Sequence, residues 1–252
     1  MLSSIIIVKN EEAMIGECLL SLAFSDEIIV VDSGSIDSTV EIAKSAGAKI
    51  VMCREDSYAQ RRNVGLKAAR GDWILYVDAD ERITPLLKKE IEQIMSSSDS
   101  ASIYQLPRKN IYLGKEMHFG GWGNDQVIRL FKKSALQKYE GDLHEQPVFT
   151  GELRTTSHEL IHYSHRDLAS MLDKTLLFTA HEARLRLAAN HPRMSWWRFL
   201  RVMFTEFWLR FIKFSAWRDG VEGVIDGIFQ VFNMFVIYSR LWELQNENRS
   251  RI

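Results

Sequence analysis

Trp73-Ile74-Leu75-Tyr76-Val77-Asp78-Ala79-Asp80-Glu81 is the stretch whose reading decides the fold. Its five leading apolar residues, entered from Gly71-Asp72, read as a short strand buried on both faces. The strand ends in two carboxylates, Asp78 and Asp80, which cannot stay buried without partners. Ligands of open α/β sheets sit at the carboxyl ends of the strands, and hard oxygen donors at i and i+2 suit a divalent cation that carries phosphates. The alternative is a solvated turn, because Asp is common wherever a chain leaves a sheet.

Upstream, Ile5-Ile6-Ile7-Val8 is a β-branched run suited to a central parallel strand, and the spacing of Met14, Ile15, Cys18, Leu19 and Leu22 predicts a helix. Residues 27–31 predict a second strand. Val40, Ile42, Ala43 and Ala46 predict a helix ending near Gly47, residues 48–52 a third strand, and residues 57–69 a helix closed by Gly71. Residues 1–81 therefore read β-α-β-α-β-α-β, a parallel sheet with right-handed crossovers. Neither a Gly-x-Gly-x-x-Gly turn nor a Gly-Lys-Ser/Thr loop is present, so phosphates must be held in another way. That gives the Asp78/Asp80 pair its weight.

The 252 residues are 46% hydrophobic and 26% charged, which suits one large domain or a domain with an appendage. With 32 basic and 33 acidic side chains the balance offers no argument for nucleic acid. Cys18 and Cys53 have no partners at metal-ligand spacing and read as buried free thiols in a reducing compartment. Met1 leads directly into the first strand without a basic leader, so export is not expected, and no window of about 18 uninterrupted apolar residues predicts a spanning helix.

Four ordered motifs, Val8-Lys9-Asn10-Glu11-Glu12, Val31-Asp32-Ser33-Gly34-Ser35-Ile36-Asp37-Ser38-Thr39, Gln60-Arg61-Arg62-Asn63 and Tyr76-Val77-Asp78-Ala79-Asp80-Glu81, together resemble family 2 glycosyltransferases of the GT-A fold. Arg108-Lys109-Asn110, Leu113-Gly114, Gly121-Trp122, Arg129-Leu130, Leu143-His144-Glu145 and Asp219-Gly220 resemble the bacterial branch that adds β-1,4-glucose to lipopolysaccharide-core heptose. The resemblance implies an α/β GT-A fold, a Rossmann-like mixed sheet with flanking helices, over residues 1–165. Residues 166–252 would form a helical C-terminal region.

It also implies a nucleotide-sugar donor, a UDP-sugar, whose base lies against Val8, Lys9, Asn10, Glu12, Asp32 and Ser33. The family often carries Asp where Ser33 stands. Arg62 would sit near the base or diphosphate. Asp78 and Asp80 would hold the diphosphate through Mg²⁺ or Mn²⁺, and His162 would complete that metal site or touch the diphosphate. Inverting transfer needs a carboxylate that takes the proton of the attacking acceptor hydroxyl. Glu145, at the place of the family's His-Glu pair, is the candidate base, with Asp142 and Asp125 in reserve.

The remaining segments frame that site. Residues 85–95 predict an amphipathic helix, 96–100 a polar linker, and 101–106 and 127–131 strands, with Arg129 at the same sheet edge. Residues 108–125, rich in Gly, read as a mobile excursion in which Trp122 offers a flat face to a sugar or is a plain core residue. His158, His162 and His165 crowd together, but no cysteine or carboxylate completes a tetrahedral set, so zinc is not expected and His158 and His165 read as surface residues.

Residues 168–189 predict a helix broken by Asn190-His191-Pro192. Residues 194–214 predict another, with Arg198, Arg201, Glu206, Arg210 and Lys213 on one half and Trp and Phe side chains on the other, the pattern of a helix lying in a membrane interface. In residues 221–238, Glu222, Asp226, Gln230 and Asn233 form a narrow polar stripe. This segment packs on the preceding helix or lies partly in lipid, and a helical cap or dimer interface is the alternative.

The expected function is inverting, metal-dependent transfer of a hexose, glucose, to a glycolipid of the lipopolysaccharide or lipooligosaccharide core. The enzyme would be peripheral on the cytoplasmic face of the inner membrane. Two other classes compete. Nucleotidyl transfer also uses carboxylates at strand ends but wants a Gly-rich basic loop that Lys9-Asn10-Glu11-Glu12 lacks. A non-catalytic membrane scaffold is opposed by intact candidates at every catalytic position.

Overall fold

The computed structural model describes residues 1–55, 57–98, 101–141 and 145–246. Asp142 lies outside the described residues. The chain divides into two units, the first made of Met1–Lys109 and Asp125–Tyr163, the second of Asn110–Asn124 and the chain from Ser164 onward.

The first unit opens with the expected alternation: β1 (Leu2–Val8), α1 (Glu12–Ser21), β2 (Glu27–Asp32), α2 (Thr39–Ser45), β3 (Lys49–Met52), α3 (Tyr58–Ala68) and β4 (Trp73–Tyr76). These strands pair in parallel in the order β3-β2-β1-β4, with Ile5 opposite Ile29 and Tyr76. Ile5, Ile29, Ile74 and Tyr76 feed a core under α3, while Ile6, Val30 and Leu75 feed a second core under α1 and α2. The near-continuous apolar runs of β1, β2 and β4 arise because both faces of these strands are covered, whereas β3 at the sheet edge stays partly exposed.

Helix α3 lies so close to the sheet that a Cβ on Gly65 would meet Ile5 Cγ2 at 2.4 Å and Val31 Cγ2 at 3.1 Å. Gly65→Ala should therefore destabilise the protein by about 1–3 kcal/mol, the usual cost of overpacking. Urea denaturation measures this, and an unchanged midpoint would mean that α3 has room to spare.

After β4 come β5 (Glu81–Ile83), α4 (Pro85–Ser96), β6 (Ile103–Tyr112), β7 (Lys115–Glu116), β8 (Gln126–Lys132), β9 (Leu136–Glu140), β10 (Gln146–Phe149), β11 (Leu153–Thr155) and β12 (Leu160–His165). The sheet continues β4-β8-β6-β12-β5, with β4-β8, β8-β6 and β12-β5 antiparallel, and β9 with β10 forms a separate hairpin. The result is a mixed sheet with flanking helices. Thr84 starts α4 by accepting from Leu87 N at 3.2 Å, with Pro85 in the first turn. Strand β5 has no sequence signature because it is short and charged, and its Glu81 and Arg82 are buried only because partners meet them there.

In the second unit the excursion expected over residues 108–125 is replaced by ordered structure. Strand β6 runs on to Tyr112 and turns through Leu113 (φ 49°) and Gly114 (φ 83°) into β7, a two-residue left-handed turn of the kind that closes hairpins. Trp122 packs tilted against Tyr112 and donates from Nε1 to Asp226 Oδ2 at 2.8 Å.

Helix α5 (Leu168–Ala188) starts with a capping box between Asp167 and Ser170. Helix α6 (Trp196–Phe207) widens into a π-helical stretch, Trp208–Lys213, where a uniform helix was expected. There Phe211 packs against the space left by Gly227, and Arg210 bonds Glu206 at 2.7 Å and the Gly120 carbonyl at 2.8 Å. A 3₁₀ turn, Ala216–Asp219, leads to α7 (Gly220–Asn246), which packs on α5 and α6. The polar stripe of α7 is satisfied inside this unit. Asp226 also accepts from Gln230, Asn233 accepts from Thr175 Oγ1 at 2.7 Å, and Glu222 pairs with Lys115 at 3.2 Å. Burial raises the Asp226 carboxyl above its ordinary range despite the bonds from Trp122 and Gln230.

Candidate active site

The site is built at the carboxyl edge of β1, β2 and β4. Asn10, the turn residue after β1, takes a left-handed conformation (φ 57°) that places its side-chain oxygen on Ile36 N at 2.9 Å, while its own N–H donates to Ser35 Oγ at 2.9 Å. Glu12 accepts from Ser38 N at 3.0 Å, and its N–H donates to Asp37 at 3.1 Å. Asp32 accepts from Gly34 N, Ser35 N and Ser35 Oγ. Ser33 N donates to the Val8 carbonyl at 3.0 Å. Thus Val8, Asn10, Glu12 and Ser33 staple the loops after β1 and β2 to each other, Asp32 closes the second loop on itself, and Lys9 is carried exposed between them. The Ser33 hydroxyl is buried with no hydrogen-bond partner among the described residues.

The carboxylates after β4 meet a group of buried guanidiniums. Arg62, delivered by α3 and 4% exposed, donates from Nη2 to Asp78 Oδ1 at 3.0 Å and from Nε to Glu145 Oε1 at 2.9 Å. Its guanidinium lies beside the rings of Tyr76 and Tyr139, and Tyr76 donates to the Arg62 carbonyl at 3.0 Å. Arg129 on β8 donates to the other oxygen of Asp78 and to Glu81 Oε1. Glu81 is fully buried, accepts from Asp78 N at 2.9 Å and closes the Asp78-Ala79-Asp80-Glu81 turn through its own N–H. Burial alone would raise the Asp78 carboxyl, but Arg129 and Arg62 outweigh it and hold the group well below the usual carboxylate range.

The neighbouring contacts brace this turn. Arg82 donates to the carbonyls of Ala79, Glu81 and Met14, and Cys18, whose thiol burial pushes well above its usual range, reaches the Asp78 carbonyl at 3.5 Å. Asn63 exchanges two hydrogen bonds with the Tyr139 backbone and so ties α3 to β9, the strand that leads toward Glu145. Arg108 grips Asp125 with two hydrogen bonds and reaches Glu81 at 3.5 Å.

The placement of the expected residues follows. Glu145, Arg62 and Asp78 form one contiguous chain, whereas Asp125 is committed to Arg108. His162 lies within β12, opposite Glu81, and its Nε2 is 3.7 Å from Asp80 Oδ2. His158 pairs with Glu90 at 2.8 Å, and His165 stands edge-on to Tyr112. Sequence reasoning assigned no role to Glu81 or Arg108 and left Arg129 at the edge without one. The available signal was a carboxylate three residues after Asp78 on a strand with no solvent face.

A divalent cation would find two suitable donors here. Among the described residues no group of three or more His, Cys, Asp or Glu forms a ready cage. Asp80 Oδ2 and His162 Nε2, partly exposed and 3.7 Å apart, lie a small side-chain rotation from the roughly 3 Å that neighbouring ligands of an octahedral ion keep, and such ions fill their other positions with water and substrate phosphates. Both Asp78 oxygens face guanidiniums instead.

Residues 3–160 match the family model described as glycosyl transferase family 2, and the chain belongs to that family. It is a glycosyltransferase, and its mixed sheet with flanking helices agrees with the architecture implied by the resemblance to GT-A enzymes. It is 30% identical to a glycosyltransferase of Rickettsia typhi over 100% of this chain and 90% of that one. It is 27% identical to the lipopolysaccharide core biosynthesis glycosyltransferase LpsC of Rhizobium meliloti, over 96% and 92%. Among solved structures it is similar to S. aureus TarS, at 15% identity and TM-score 0.46 over 97% of this chain and 53% of that one. It is also similar to glucosyl-3-phosphoglycerate synthase from Mycobacterium tuberculosis, at 25% identity and TM-score 0.37 over 44% of each.

Proposed function

We propose that the protein transfers a hexose, glucose, from a UDP-sugar to a glycolipid acceptor of the lipopolysaccharide core, with inversion and with a divalent cation. The observation that carries the reading is the chain Glu145–Arg62–Asp78 at the carboxyl edge of the sheet, within one turn of Asp80. The acceptor class is supported by the likeness to LpsC over nearly the whole of both chains.

Each residue then has a task. The stapled loops after β1 and β2 hold the nucleoside, with the Ser33 hydroxyl available to the base. Asp80 and His162 hold Mg²⁺ or Mn²⁺, which when bound offsets the charge of the diphosphate. Arg62 and Arg129 keep Asp78 ionised and in place beside the donor. Glu145 spends Oε1 on Arg62 and turns Oε2 to the acceptor hydroxyl. It takes the hydroxyl proton as the oxygen attacks the anomeric carbon, and the bond from that carbon to the diphosphate breaks on the opposite side.

The test is product formation from UDP-glucose and a lipid acceptor extract, with nucleoside diphosphate as the released species. Release of pyrophosphate would instead identify nucleotidyl transfer. Excess chelator should abolish calorimetric binding of UDP, and Asp80→Ala should abolish product. Unchanged UDP affinity in chelator would sink the metal assignment.

A further inference from the structure

The outward faces of α6 and α7 carry large apolar side chains that no described residue of the second unit covers. On α7 the exposed large apolar positions are Val221, Ile225, Ile228, Phe232, Phe235 and Trp242, at intervals of four, three, four, three and seven, so they form one stripe along the helix. Between Val221 and Phe235 every exposed residue of α7 is apolar. On α6 and the π-helical stretch, Trp197, Leu200, Phe204 and Trp208 form a second stripe, with Phe204 69% exposed.

The tertiary structure sorts most charges of this region by sign, with Glu243 near the end of α7 the exposed acid among the described residues. Glu206, Asp219 and Asp226 are buried, and Glu222 is held by Lys115. Asp219 accepts from the N–H groups of His118 and Phe119, and Glu206 is paired with Arg210. Arg201, Lys213 and Arg218 remain exposed. Arg210, expected from the sequence to face headgroups, is instead turned inward to Glu206 and Gly120.

From this juxtaposition we propose that the outward face of α6 and α7 seats on an anionic lipid bilayer. Exposed tryptophan and phenylalanine suit the headgroup boundary, and the outward cations supply the preference for negative lipids. A second copy of the chain fits less well, because a two-fold interface would bring the same cations against each other. The helix Ala216–Asn246 is long and apolar enough to cross a bilayer by length and composition. However, crossing would strip Asp226 of Trp122 and Asn233 of Thr175. The face lies on the membrane and the polar stripe stays with the protein. This surface does not depend on the donor or acceptor proposed above.

Flotation of the full chain with vesicles tests it. Wild type should float with vesicles containing phosphatidylglycerol, and much less with pure phosphatidylcholine or in high salt. The triple variant Trp197→Ser, Phe204→Ser, Trp208→Ser should lose about tenfold or more of its partition while keeping UDP binding, which reports an intact first unit. A second variant, Arg201→Glu, Lys213→Glu, Arg218→Glu, should lose the anionic preference. Two results overturn the proposal. One is wild type that stays soluble with anionic vesicles. The other is a wild-type dimer by light scattering that the triple variant dissolves without any change in flotation, which would assign the face to a second copy.

Discussion

Glu145→Gln is expected to lower turnover by about 10²–10⁴-fold and to leave UDP affinity within a few fold of wild type. The amide keeps an oxygen where Glu145 Oε1 accepts from Arg62 Nε at 2.9 Å, so the substitution preserves the local packing and removes mainly the capacity to take a proton. Donor binding should survive because the base acts on the acceptor hydroxyl. Turnover within tenfold of wild type would end the assignment. Asp125, locked in two bonds to Arg108, would then have to be released before it could serve.

Asp78→Ala is expected to be the most damaging single change to both stability and donor binding. It leaves Arg62 and Arg129, 4% and 7% exposed, without the carboxylate they share. Removing one partner of a buried pair costs about 3–5 kcal/mol, and the lower end applies because the Asp78 side chain is 29% exposed. The pH dependence carries the same signature. A carboxyl held below its unfolded value of about 3.9 stabilises the fold above that pH and loses the contribution as pH falls through the depressed range. The stability difference between wild type and Asp78→Ala should therefore be flat from about pH 8 to pH 5 and shrink below about pH 4. Guanidinium denaturation at pH 7, 5 and 3.5 measures it. A difference that grows on acidification would refute the depressed carboxyl.

The alternation of strands and helices through β4 was legible in the sequence because β1, β2 and β4 are buried on both faces and each helix on one, and those burials leave signatures that need no knowledge of partners. The carboxylates at the end of β4 were legible for the same reason, since an apolar run ending in Asp must meet either water or a partner. Glu145 was reachable only through family resemblance. No local pattern distinguishes a carboxylate paired with an arginine 83 positions away from a turn residue.

Only the tertiary structure decided that Asp78 faces two guanidiniums, that Glu81 and Arg82 form a buried strand, and that residues 110–117 make a hairpin. It likewise decided that Glu206, Asp219 and Asp226 turn inward while Arg201, Lys213 and Arg218 stay outside. Charged side chains are tolerated in a core only when an opposite charge or a backbone group meets them. Those meetings join residues far apart in the chain, so composition and periodicity determine where the strands and helices form, while three-dimensional pairing determines which charges are buried and what remains on the surface.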